Sequence, residues 1–273
     1  MNKLTKMIRS KRAMAIPVTF LLLFTSMLGI ISITYYFAVE KINTQNSKFK
    51  IVSAKQDMLS FDEKILDTLW QSGSARIIEF GNSGGKLNIQ PSSNILTINV
   101  SDNRDIASII YNASIGQVSY ELPYSSSPDV GLFLKGDGRT VTKTSGSSIT
   151  QLSIRNGLEH PEVLLRYRPI VSFTSNFEEN KKAITTLRIY IVNLNTSEPV
   201  ALFGSVPLKI ASVSTNFLTT TYDLSYEPKS LLITSILDGV NGQVSIPIHS
   251  SDEGSIINIE IVACNVEIQR TVR

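Results

Sequence analysis

Met14-Ala15-Ile16-Pro17-Val18-Thr19-Phe20-Leu21-Leu22-Leu23-Phe24-Thr25-Ser26-Met27-Leu28-Gly29-Ile30-Ile31-Ser32-Ile33-Thr34-Tyr35-Tyr36-Phe37-Ala38-Val39 carries no charged side chain. As a helix rising 1.5 Å per residue the run is roughly 39 Å long, enough to cross a hydrocarbon core of about 30 Å with some tilt. Each central Leu, Ile, Phe or Val favours insertion by roughly 0.3–0.6 kcal/mol. A helix of a soluble core would keep one polar face, and this run shows none. Residues 14–39 are therefore read as a transmembrane helix, with Pro17 in its first turn, where a missing N–H costs little.

Lys3, Lys6, Arg9, Lys11 and Arg12 precede the run, and Glu40-Lys41 follow it. Tyr35 and Tyr36 fall at its far end, where amphipathic rings prefer the headgroup level. This asymmetry places a basic segment, residues 1–13, in the cytoplasm and the rest of the chain outside the cell. The small-residue pattern of a cleaved secretory signal is missing around Tyr36, Ala38 and Glu40. The net charge of +3 and pI near 8.9 reside in that tail. The remainder is close to neutral, so nucleic acid is not an expected partner, and the lipid bilayer is.

One cysteine in 273 residues excludes an internal disulfide, and the outer part must stand on a packed core. The two histidines, His160 and His249, make a His-rich metal centre a poor prospect.

Beyond the span, Ile42, Phe49, Val52, Gln56, Leu59, Glu63, Leu66 and Trp70 form one three-four stripe, and Ile51, Ala54, Met58, Phe61, Ile65 and Leu69 a second. Together they predict a helix with a wide apolar face over residues 49–70, extending the anchor as a stalk over residues 40–71 and ended by Gln71-Ser72-Gly73-Ser74. The spacing fits packing against the chain's own outer domain or a short parallel coiled coil.

From residue 75 to 273 the periodicity changes to alternation, with Val/Ile/Thr/Tyr-rich runs punctuated by Gly, Asn, Asp, Ser and Pro. Strands are expected at 75–80, 86–90, 95–100, 117–122, 131–135, 139–143, 148–154, 163–173, 185–194, 206–214, 219–224, 231–237, 243–248 and 256–268, with a short helix at 105–111. Gly136-Asp137-Gly138 and Asp238-Gly239-Val240-Asn241-Gly242 read as hairpin tips. The apolar phase of the last strand switches from Ile257, Ile259 and Ile261 to Val262, Cys264, Val266 and Ile268, which predicts a β-bulge near Val262 and Ala263. Cys264 then lies on an apolar face as a buried thiol. The fold class is α+β: a long N-terminal transmembrane helix continuing into a stalk, then a mainly antiparallel β-sandwich domain, single or split into two halves near residues 144–148.

Motifs for chemistry fail in turn. Gly81-Asn82-Ser83-Gly84-Gly85-Lys86 has Phe80 and Leu87 where a phosphate loop needs Gly and Ser/Thr. His160, in Gly157-Leu158-Glu159-His160-Pro161-Glu162, has no histidine nearby. His249-Ser250-Ser251-Asp252-Glu253 is too compact for a nucleophilic triad. No catalytic, cofactor-binding or metal-binding residue is assigned, and the chain is not read as an enzyme. Asn99, Asn112 and Asn195 open N-glycosylation patterns, in a chain rich enough in Asn, Ser and Thr for such patterns to arise by chance. The run Thr215-Asn216-Phe217-Leu218-Thr219-Thr220-Thr221 suggests exposed strand or loop.

Lys11-Arg12-Ala13-Met14-Ala15-Ile16-Pro17-Val18 followed by Leu21-Leu22-Leu23-Phe24 resembles the N-terminus of archaeal type IV pilin-like proteins. The resemblance implies a prepilin-type peptidase as partner, with Arg12 as the basic leader residue, Ala13 as the last leader residue and Met14 as the new N-terminus. It also implies self-assembly through the N-terminal helix. Val18 is apolar where bacterial-type pilins carry Glu, as in many archaeal members. As a whole the chain resembles archaeal membrane-anchored surface proteins, a likeness that implies no activity. The leading expectation is a membrane-anchored cell-surface structural protein, pilin-like, with an outward β-domain for assembly or adhesion. The alternative is a ligand-binding or sensory ectodomain on a plain uncleaved anchor.

Overall fold

The computed structural model describes residues 4–102, 104, 106–123, 129–144, 147–176, 182–226, 228, 230–248, 251 and 253–271, with side chains from residue 17 onward. Contacts divide the chain into two compact units, Met1–Phe49 and Lys50–Arg273.

The N-terminal unit is helical, as the first part of α1 (Leu4–Leu66). Phe20, Leu21, Leu22, Leu23, Ile30 and Phe37 are all exposed. Small hydroxyls along the run are bonded internally: Thr25 donates to the carbonyl of Leu21 at 3.0 Å, Ser32 to Leu28 at 2.8 Å and Thr34 to Ile30 at 2.8 Å. Such back-bonding leaves few polar groups for a hydrocarbon environment to desolvate. Because α1 begins at Leu4, Pro17 lies inside the helix and not in its first turn as the apolar run suggested. The preceding basic residues are themselves helix formers, and α1 continues through the proline, which supplies no N–H for the carbonyl four residues earlier.

In the second unit only one of the two expected stripes is buried. Ile51, Ala54, Met58, Phe61, Ile65 and Leu69 are inside, while Val52, Gln56 and Glu63 face solvent. The seam interrupted by Gln56 and Glu63 is the one left out of the core, as their desolvation cost requires. The helix ends at Leu66, earlier than expected. There the Thr68 hydroxyl donates to the Ile65 carbonyl at 2.8 Å and the Ser74 hydroxyl to the Thr68 carbonyl at 2.7 Å, satisfying backbone acceptors at the terminus.

The strands are β1 (Ala75–Phe80), β2 (Lys86–Ser101), β3 (Ala107–Glu121), β4 (Phe133–Lys135), β5 (Thr142–Lys143), β6 (Thr150–Asn156), β7 (Pro161–Tyr167), β8 (Ile170–Asn176), β9 (Ala183–Asn193), β10 (Val200–Phe203), β11 (Val206–Leu224), β12 (Ser230–Leu237), β13 (Val240–Pro247) and β14 (Ser255–Arg270). Among the described residues they form a six-stranded sheet, β1-β11-β14-β9-β8-β5, and an eight-stranded sheet, β13-β12-β2-β3-β7-β6-β4 with β10 added on β2. Pairing is antiparallel except between β14 and β9 and between β5 and β8.

Two buried clusters hold these sheets. The first joins the α1 stripe to Leu87 and Ile89 of β2, Val163 and Leu165 of β7, Leu208 and Ile210 of β11, and Cys264, Val266 and Ile268 of β14. The second joins Leu96, Ile98 and Val100 of β2 to Leu187 and Ile189 of β9, Ile233 of β12, and Ile257, Ile259 and Ile261 of β14. Fully burying each such side chain is worth about 1.5–3 kcal/mol.

This division explains the phase switch in the last strand. The odd face of β14 enters the second cluster and, farther along, the even face enters the first, so four consecutive residues, Ile261 to Cys264, are buried. The pairing of β14 with β9 runs unbroken through Val262 and Ala263. The register shift lies instead in β11, where Val213 is extra between Ser212, opposite Val266, and Ser214, opposite Asn265.

Other expectations are corrected similarly. Residues 107–111, expected as part of a short helix, begin β3, because Ala107, Ser108 and Ile109 pair with Ser101, Val100 and Asn99 of β2; Asp105 lies outside the described residues. Gly136-Asp137-Gly138 is not a hairpin tip, since β4 pairs with β6 and β5 with β8. The single strand expected over 163–173 is two, broken at Arg168-Pro169 where the proline lacks a ladder donor, and β7 and β8 belong to different sheets. Asp238-Gly239 is the tip of the β12–β13 hairpin, with φ of 54° and 71°, the positive pair that a two-residue turn of type I′ demands.

Candidate functional site

The outer face of the six-stranded sheet carries a cleft whose composition follows from cross-strand register. Phe217 of β11 lies opposite Val262 of β14, which lies opposite Tyr190 of β9. One row along, Thr219 lies opposite Glu260, and Glu260 opposite Arg188. The first row is aromatic, small, aromatic. With strands about 4.8 Å apart, the two rings stand roughly 10 Å apart over a low valine floor. The second row is polar, and the Arg188 Nε–H donates to the Glu260 carboxylate across it.

Trp70 closes one end. Its indole meets the Tyr190 ring edge to face at 5.2 Å and 71°, and it is 41% exposed. Its φ is +65°, a conformation that favours glycine and costs a bulky residue of order 1–3 kcal/mol. The chain therefore holds a strained backbone where it presents this ring. Phe217 is 71% exposed. The Thr215 hydroxyl, also lining the cleft, is shielded from solvent and has no hydrogen-bond partner among the described residues. The cleft is open to solvent and has a volume of about 470 Å³.

Its electrostatics are balanced. The hydrogen bond to Glu260 and that group's charge raise the Arg188 pKa, so the guanidinium is held charged and its charge is offset locally.

A second, polar groove of about 330 Å³ surrounds His160. Its charges are largely matched in pairs: Arg155 Nε donates to Glu162 at 2.6 Å, and Lys86 Nζ lies 3.6 Å from Glu121. Among the described residues no group of three or more His, Cys, Asp or Glu could hold a metal. The glycine-rich turn before Lys86 has a steric cause, because a Cβ on Gly85 would stand 2.0 Å from the Glu121 carbonyl oxygen.

The residues singled out in the sequence are scattered. Arg12, Ala13 and Met14 lie within α1. Asn112 is exposed on β3 and accepts from Thr97 at 3.3 Å; Asn195 is exposed in the turn after β9. Asn99 is half-buried in β2, its Oδ1 shielded and without a hydrogen-bond partner among the described residues. His249 and two of its neighbours, Ser250 and Asp252, lie outside the described residues. Cys264 is fully buried, its thiol 3.5 Å from the Ser212 hydroxyl. Sequence reading missed the cleft. Its available signals were the sole tryptophan and a lone phenylalanine within a threonine run, and their convergence depends on strand order.

No protein family, curated protein or solved structure matches the chain.

Proposed function

We propose that the chain is a single-pass membrane protein of pilin-like plan, its N-terminus cytoplasmic and its two sheets packed as an outward-facing β-sandwich used in surface assembly or adhesion. The observation that carries this reading is one long N-terminal helix whose large apolar side chains from Val18 to Val39 are exposed and whose Thr25, Ser32 and Thr34 hydroxyls are bonded back to its own carbonyls. Exposed apolar surface of that extent needs a lipid or protein covering. The positive flank supports the orientation.

Pro17 supports leader removal on physical grounds. The helical partner of the Ala13 carbonyl would be the N–H of residue 17, which proline lacks. Opening the helix at the Ala13–Met14 bond for a peptidase therefore breaks one hydrogen bond fewer. Mass measurement of the N-terminus in native membranes tests this directly: a chain beginning at Met14 is expected, and an intact Met1 sinks the filament reading. Resistance to alkaline carbonate extraction, with protease access to the β-domain from outside intact cells, tests the topology.

A ligand-binding ectodomain on an uncleaved anchor is the second reading. The cleft between Trp70, Tyr190 and Phe217 favours it.

A further inference from the structure

We propose that the cleft on the outer face of β9, β14 and β11 binds a neutral carbohydrate. The inference goes beyond the membrane reading and does not need leader cleavage or filament assembly to hold.

The ligand class follows by matching each group in the cleft. Tyr190 and Phe217 flank Val262 as two walls over a low floor, a trough suited to a flat six-membered ring. Aromatic faces carry negative quadrupole density, which the weakly positive C–H groups of a pyranose complement. The next row offers the opposite chemistry, with carboxylate acceptors on Glu260, guanidinium donors on Arg188 and a hydroxyl on Thr219. Ionised partners make the strongest hydrogen bonds to hydroxyl groups, and vicinal hydroxyls can both donate to the acid and accept from the guanidinium.

Other ligand classes fit less well. An anion would meet Glu260, a cation would meet Arg188, and a wholly apolar molecule would desolvate the row of polar groups without replacing their hydrogen bonds. An extended peptide seeks the backbone groups of a sheet edge, and this cleft lies on a sheet face. A neutral molecule with apolar C–H surface and several hydroxyls satisfies all of them. The volume of this open cleft, about 470 Å³, lies in the usual range for small-ligand sites. The strained φ of Trp70 is the kind of backbone cost that persists where a side chain must be held in place.

Trp70 is the only tryptophan, so emission excited at the red edge, where tyrosine does not absorb, reports on this cleft. The full-length chain, held in a detergent without a sugar headgroup, is titrated with soluble neutral oligosaccharides of glucose, galactose, mannose and N-acetylglucosamine. An oligogalacturonate and a neutral Ser/Thr-rich peptide serve as competing classes. A saturable change in emission with at least one neutral oligosaccharide is expected, with its apparent Kd weakened about tenfold or more in Phe217→Ala and in Glu260→Gln. Phe217 is exposed and Glu260 faces outward, so unchanged circular dichroism of both variants is expected and confirms that the loss is one of binding. Absence of any saturable response to neutral sugars overturns the proposal. A response that survives Phe217→Ala unchanged, or a preference for the acidic oligomer or the peptide, overturns it equally. None of these outcomes bears on carbonate extraction or the N-terminal mass.

Discussion

The phenol of Tyr167 donates to Oδ1 of Asp62 at 2.9 Å, joining β7 to α1 through a carboxylate that is fully buried. Thr150 donates to the same oxygen at 2.8 Å, and Lys135 reaches Oδ2 at 2.6 Å. The helix is thus tied to three strands at a point its apolar stripe alone does not specify. Removing the acid strands a lysine, a phenol and a threonine hydroxyl together. Asp62→Ala is expected to lower unfolding free energy by about 3 kcal/mol or more, and Tyr167→Phe by roughly 1.5 kcal/mol, both read by urea denaturation.

Trp70 inverts the usual order of two substitutions. Replacement by alanine loses the contact with Tyr190 and keeps a left-handed backbone, whereas glycine loses the contact and relieves the strain. Trp70→Gly is expected to be more stable than Trp70→Ala by about 1 kcal/mol, although glycine is ordinarily the worse residue within a helix or strand. Equal melting temperatures for the two would show that the backbone there is not strained.

Acid stability is expected to depend on Asp137. Hydrogen bonds from Arg139, at 2.7 Å, and from the buried Arg168 hold its carboxyl well below the ordinary range. A folded pKa below the unfolded value of about 3.9 gives stability that is complete above that value and is lost as pH falls. Asp57 acts in the opposite sense, because burial raises its pKa, with the Ser83 hydroxyl partly offsetting. Its contribution declines as pH rises from the ordinary carboxylate value through the raised one. Asp137→Asn should therefore flatten the loss of stability below about pH 4, and Asp57→Asn should leave that limb in place while raising stability at neutral pH. Denaturation midpoints between about pH 2 and 7 check both signs.

Pro17→Ala restores the N–H that pairs with the Ala13 carbonyl. Where the leader is removed, this change is expected to slow its removal and raise the share of full-length chain in pulse-labelled membranes. Unchanged processing would assign the proline no part in it.

Elements were readable where local composition suffices. The charge-free run needs no partner to be recognised, and residues 75–80 appear as β1 at both ends because Gly73-Ser74 and Gly81 bracket them. Asp238-Gly239 carries its turn in its own two residues. What was not readable depends on pairing across the chain. The phase switch in β14 looked like a local bulge because nothing in that strand announces that its two ends serve different cores. Residues 107–111 looked helical until β2 lay beside them. The cleft draws on positions 70, 188–190, 215–219 and 260–262, whose adjacency is set by the order β11-β14-β9. Asp62 gave no signal beyond standing next to Phe61 on the buried side of a helix.

The central place of β14 bears on how the domain is made. Among the described residues it alone joins β1 and β11 to β9, β8 and β5, and its side chains enter both buried clusters. During synthesis α1 emerges first and this strand last among those described, so each half of the six-stranded sheet must wait with a bare inner edge while the intervening chain is translated. Bare edges of that kind recruit foreign strands. The unfinished domain is therefore open to mispairing until residues 255–270 have arrived.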